Sequence, residues 1–181
     1  MKVLRSPGVL ICLTLFLGFL NDAFAISDPS ACVITIKSVE LKKDSGAWIT
    51  VIEPDHQVDL VNQRPIVSFF NNGRRVPPGH YLNFKIVLLR TIKVETSEHL
   101  QFIYEAPHDE ISIYGSKDFD RPVNVNGQSF ISVSFELDLS RTVDVSNSKA
   151  VFLPPKKVKG VTMIVDDRQI AISGDDIQMI I

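Results

Sequence analysis

The chain has 181 residues, with 19 basic and 21 acidic side chains and a formal charge of −2. No basic surplus is available to neutralise phosphates, which argues against nucleic acid as a partner. Two cysteines exclude a disulfide framework, so a chain of this length must be held together by its own core.

The first 25 residues read as a leader. Lys2 and Arg5 give a positive start, residues 8–20 (GVLICLTLFLGFL) are apolar, and Ala23 and Ala25 supply small residues ahead of a cut. The apolar run is short of the ~20 residues that span a bilayer, so a signal peptide cleaved after Ala25 is expected rather than an anchor. The mature chain is then periplasmic or secreted. It has no second apolar stretch of that kind, and hence no transmembrane segment. Removing Lys2, Arg5 and Asp22 with the leader brings the formal charge to −3. Cys12 leaves too, and Cys32 remains, either as a small buried hydrophobe or in an intermolecular bridge. Lipidation at Cys32 does not fit, because Pro29 replaces the aliphatic residue a lipobox needs.

Strand patterns fill residues 26–181. Residues 33–41 (VITIKSVEL) and 47–52 (AWITVI) flank the polar turn KKDSG, which predicts a hairpin with a bulge near Ser38. Trp48, just past that turn, is expected in the core. Pro78-Gly79 reads as a turn, with His80 and an outward Tyr81 opening the next strand. From Leu82, alternate residues Phe84, Ile86, Leu88, Ile92 and Val94 are apolar, which predicts the longest strand. Arg90 interrupts its apolar face and marks a bend.

Residues 95–124 carry the most His, Asp and Pro and suggest a long loop or edge, with weak strands at 100–104 and 110–114. Residues 128–139 (QSFISVSFELDL) alternate cleanly. Asn126-Gly127 just before them predicts a hairpin with 122–125. Weaker strands follow at 149–153 and 161–165. A last pair, 169–172 and 177–181, is split by SGDD as an extra C-terminal hairpin spanning 166–181. About 8–9 short strands with half-buried alternation give an all-β, antiparallel β-sandwich in a single domain over 26–181.

No glycine-rich phosphate loop, nucleophile elbow, His-Glu-x-x-His or Cys-x-x-Cys is present. A catalytic triad has no sequence signature of its own, and nothing singles out one serine. His99, His108 and Glu110 are the candidate metal ligands, with His108 and Glu110 on one face if they lie on a strand. His56 with Asp59 is a further pair. Asp118-x-Asp120, Asp166-Asp167 and Asp175-Asp176 are acidic turns that lack the rest of a calcium loop. Acids at turns also serve local hydrogen bonding. An exposed aromatic face can stack on a sugar, which brings in Trp48, Tyr81, Tyr104 and Tyr114; with Trp48 expected in the core, Tyr104, Tyr114 and nearby His108 are the candidate ligand-binding residues. Arg74-Arg75 and Lys156-Lys157-Lys159 are small basic groups at turns. No cofactor is expected.

Residues 34–51 (ITIKSVELKKDSGAWITV), then VDL at 58–60, then VPPGHYLNFKIVL at 76–88, resemble an exported bacterial family, domain of unknown function 4382. FELDLSRTV (135–143) and VFLPPKKV (151–158) resemble its second half, so the likeness spans residues 32–165. Lys85 stands where the family often has arginine, and the segment after Val165 lies outside the pattern. The resemblance implies a transthyretin-like or immunoglobulin-like sandwich on the envelope side, with no assigned reaction and no catalytic residues. The expected role is a non-catalytic binding or structural module of the cell envelope with an unidentified protein or glycan partner. A carbohydrate-binding or metal-binding module is the alternative.

Overall fold

The computed structural model describes residues 25–52, 56–63, 65–70, 76–146, 149–155 and 157–181. The leader up to residue 24, Arg74-Arg75 and Lys156 lie outside the described residues. Among the described residues, fourteen strand segments run in chain order. They are β1 (Ala25–Ser27), β2 (Ala31–Lys43), β3 (Trp48–Ile52), β4 (His56–Asp59), β5 (Ile66–Phe70), β6 (Gly79–Glu95) and β7 (Gln101–Gly115), followed by β8 (Val123–Val125), β9 (Phe130–Leu137), β10 (Val143–Ser146), β11 (Lys149–Phe152), β12 (Val158–Val165), β13 (Arg168–Ser173) and β14 (Ile177–Ile180). Every pairing is antiparallel, and no helix among the described residues is long and apolar enough to cross a membrane.

The large sheet has the order β14-β7-β6-β2-β3, with β4 also on β2 and β8 also on β6. Two smaller sheets, β13-β12-β9-β5 and β1-β10-β11, complete the fold. β2, β6 and β7 are long, so two short segments in succession pair along one edge of β2. Those breaks raise the number of segments above the expected 8–9. A single apolar core joins the sheets: Ile34, Ile36 and Leu41 from β2, Phe84, Ile86 and Leu88 from β6, Ile131, Val133 and Phe135 from β9, and Met163 from β12. Phe152 of β11 meets Tyr104 of β7 edge-on at 5.4 Å, which seats the three-stranded sheet against β7.

The predicted first hairpin forms, with Leu41 opposite Ile49 and Lys42 opposite Trp48. Its bulge lies where expected. Cys32, Ile34 and Ile36 are buried, and after a register shift at Ser38 the buried residues are Val39 and Leu41. One extra residue exchanges the faces of a strand, and this bulge keeps both halves of β2 apolar towards the core. Arg90 likewise marks an irregularity, with Leu89 opposite Glu110 but Thr91 opposite Glu105. Residues 106–109 of β7 bulge out against Arg90 alone.

Other expectations are corrected. Residues 101–115 form one strand rather than a loop with two weak strands, because register with β6 resumes beyond the bulge. Asn126-Gly127 does not close a hairpin: β8 pairs with the start of β6, and β9 pairs with β5 and β12. The turn instead carries the chain from one sheet to another. The two C-terminal strands part in the same way, β13 onto β12 and β14 onto β7.

Tyr81 is fully buried instead of outward, and its hydroxyl donates to the Pro77 carbonyl at 2.7 Å. A register shift between Lys42 and Lys43 turns it inward. Burial pushes its phenol pKa up. Its neighbour His80 is exposed. Trp48 is 39% exposed and is not a core residue.

Candidate functional site

Cross-strand register assembles a polar face on the outer side of the large sheet. In the first hairpin Leu41 points inward, so Lys42 and Glu40 point outward, together with their partners Trp48 and Thr50. The next row continues through Lys85, opposite Glu40, to Tyr114, opposite Lys85, and to Gln178 on β14. One line across five strands thus carries Thr50, Glu40, Lys85, Tyr114 and Gln178.

Charges on this face are paired. Lys85 Nζ lies 2.6 Å from Glu40 Oε2 and 5.3 Å from the centre of the Trp48 ring. The ammonium is therefore shared between a carboxylate and an aromatic face, an arrangement that orients the indole. Lys42 Nζ contacts Asp118 Oδ1 at 3.0 Å, and this bond, together with one from the Asn83 amide, holds the Asp118 carboxyl below its usual range. With each lysine matched by a carboxylate, the face presents hydrogen-bonding groups and two aromatic rings without a net charge of either sign. Trp48 and Tyr114 stand three strand spacings apart, on the order of 14 Å.

The residues singled out from sequence are dispersed. Tyr114 belongs to the outer face, whereas Tyr104 points to the opposite side, against Phe152. The bulge at residues 106–109 reverses the parity of β7 between the two tyrosines. His108 is exposed within that bulge. Glu110 is ion-paired to Lys37. His99 has φ 62° in the turn before β7, with Nδ1 2.9 Å from Glu95 Oε1. Bonds from His99 and Gln101 hold the Glu95 carboxyl below its usual range. His99, His108 and Glu110 do not form a ligand set, and no group of three or more His, Cys, Asp or Glu suited to a metal occurs among the described residues.

The acidic turns have structural work. Asp166 accepts from Ser129 Oγ and Phe130 N, and Asp176 pairs with Lys117 at 3.1 Å. Asp59, expected beside His56, accepts from the backbone N–H of Cys32 (3.0 Å) and Val61 (3.1 Å) and from the Asn62 amide (2.6 Å). Partial burial pushes its carboxyl up, but these bonds outweigh that and leave it low. Burial, and then the nearby Asp59 charge, pushes the Cys32 thiol up to about 12. That thiol is buried and protonated at neutral pH, and so inert.

A tryptophan just after a hairpin turn is expected to pack inward, and Trp48 does not. The signal that locates it was present in the alternation: Ile49 and Val51 form one face of β3, which leaves Trp48 and Thr50 on the other. A second feature, a groove of about 440 Å³ on the same outer side, is lined by Ala31, Val33, Lys93, Gln101, Phe102 and Ile103. No family model, curated protein or solved structure matches the chain.

Proposed function

We propose that the chain is an exported, non-catalytic β-sandwich that binds a neutral surface glycan of the bacterial cell envelope through the outer face of its large sheet. The observation that carries the reading is Trp48, an exposed indole oriented by Lys85 and set beside the row of paired, hydrogen-bonding side chains. A sugar ring offers an apolar face for stacking and hydroxyls that donate and accept. A charge-balanced face with aromatic platforms suits it better than it suits an ionic ligand. This revises the binding residues to Trp48 and Tyr114, without Tyr104 or His108.

Export rests on the leader and its expected cleavage after Ala25. The non-catalytic reading rests on the sequence, which carries no nucleophile elbow, phosphate loop or His-Glu-x-x-His. The likeness to domain of unknown function 4382, and with it a transthyretin-like or immunoglobulin-like kinship, is part of the proposal and rests on the sequence motifs alone.

The test is a glycan array probed with the secreted protein. Binding to neutral glycans, lost at least tenfold in Trp48→Ala and weakened in Tyr114→Ala, is expected. Binding unchanged by Trp48→Ala, or ester or glycoside hydrolysis abolished by a single substitution, would contradict it.

A further inference from the structure

Among the described residues, part of the outer edge of β7 is open. β14 covers only Ser112 to Gly115 of that edge, and no described residue pairs with residues 101–105 on the side away from β6. The direction of the backbone groups there follows from the hairpin. Antiparallel partners alternate between pairs that exchange backbone hydrogen bonds and pairs that do not. Thr96 N–H donates to Leu100 O at 3.0 Å, so 96 and 100 are a bonded pair. Counting along the register, Glu95 with Gln101, Lys93 with Ile103 and Thr91 with Glu105 are non-bonded pairs. The N–H and C=O groups of Gln101, Ile103 and Glu105 therefore point away from β6, into the open edge. An independent contact supports the count. The Glu95 carbonyl, turned away from β7 by the same alternation, accepts from Ser30 N–H at 2.8 Å on the β2 side.

Natural sheets protect such edges with prolines, charges or bulges. β7 does so at one end only, where Pro107 and the bulge at 106–109 stop the ladder. Within 101–105 the central side chain is Ile103, 63% exposed.

We propose that this edge pairs with the same edge of a second copy, giving an antiparallel dimer with its two-fold axis at Ile103. The segment is self-complementary about that residue. Ile103 meets Ile103 of the second copy. Gln101, whose amide donates, meets Glu105, whose carboxylate accepts, and the contact repeats on the other side of the axis. The three outward-facing residues of each chain then exchange about six backbone hydrogen bonds. Glu105 is already held by Arg90 at 2.6 Å, which fixes its position and offsets its charge. The pairing would join two large sheets into one continuous sheet. It does not depend on the glycan-binding reading.

Sedimentation of the secreted chain, compared with Ile103→Lys, tests the proposal. A dimer is expected, and Ile103→Lys, which sets two ammonium groups at the axis, makes it monomeric. In an antiparallel bonded pair the Cα atoms lie about 5.5 Å apart, within disulfide reach. Ile103→Cys should therefore cross-link into a covalent dimer on mild oxidation, whereas Leu153→Cys, exposed elsewhere, should not. The cross-linking arm decides the matter even if Ile103→Lys fails to fold. A wild-type chain that stays monomeric at high concentration, a dimer untouched by Ile103→Lys, or equal cross-linking by both cysteine variants overturns the proposal. Capture of a different protein's strand by a monomeric chain overturns it too.

Discussion

At the scale of single residues, two side chains show how much register decides. Tyr81 and Trp48 are both aromatic, both beside turns, and each sits on the side opposite to its expected one. A register shift beside Lys43 turns Tyr81 inward, and strict alternation in the first hairpin turns Trp48 out. Asp59 shows a polar residue with a structural task. Its carboxylate satisfies the N–H groups of Cys32 and Val61 where β4 ends. Asp59→Asn should cost about 1 kcal/mol at neutral pH, a charge-assisted bond discounted for partial exposure. The sign of its pH dependence is fixed: the folded carboxyl lies below its unfolded value of about 3.9, so the stabilisation is present above that value and lost as pH falls through the lower folded value. Denaturant midpoints of wild type and Asp59→Asn should differ at pH 7 and converge only as pH falls through the lowered folded value. A gap that persists at low pH would assign the effect to packing instead.

At the scale of elements, bulges account for most of what sequence reading reached and missed. The bulge at Ser38 was legible because the apolar parity of residues 33–41 changes midway. The irregularity at Arg90 was legible because a charged residue interrupts the alternate apolar series Phe84, Ile86, Leu88, Ile92 and Val94 of β6. Its partner at 106–109 was not, because Pro107, His108 and Asp109 look like loop composition, although β7 resumes its register after them. At Asn126-Gly127 and the SGDD turn, local signals favour pairing of neighbouring strands and so predict hairpins. Here the strands on either side of each turn pair in different sheets or with different partners instead. The second turn has a steric requirement: a Cβ on Gly174 would overlap the backbone carbonyl oxygen of Val158. Gly174→Ala should therefore destabilise the fold by about 1–3 kcal/mol, the usual range for overpacking. It should also raise hydrogen exchange in β14 more than in β9. Unchanged thermal stability would show that the turn relaxes without cost.

At the scale of the whole molecule, the all-β antiparallel architecture was written in the alternation of residues 82–94 and 128–139. The candidate site was not. It draws single residues from five strands, and only their lateral order, which no local pattern encodes, places Trp48, Glu40, Lys85, Tyr114 and Gln178 in one surface. That surface and the open edge of β7 lie on the same sheet, so a dimer joined at the edge would present two such faces.

An NMR titration of the labelled protein with a soluble neutral polysaccharide tests the proposed binding face most directly. The account predicts shifts in the Trp48 indole resonance and in the amides of Glu40, Thr50, Lys85 and Tyr114. Shifts confined to other surfaces, or no shifts at saturating polysaccharide, would contradict it.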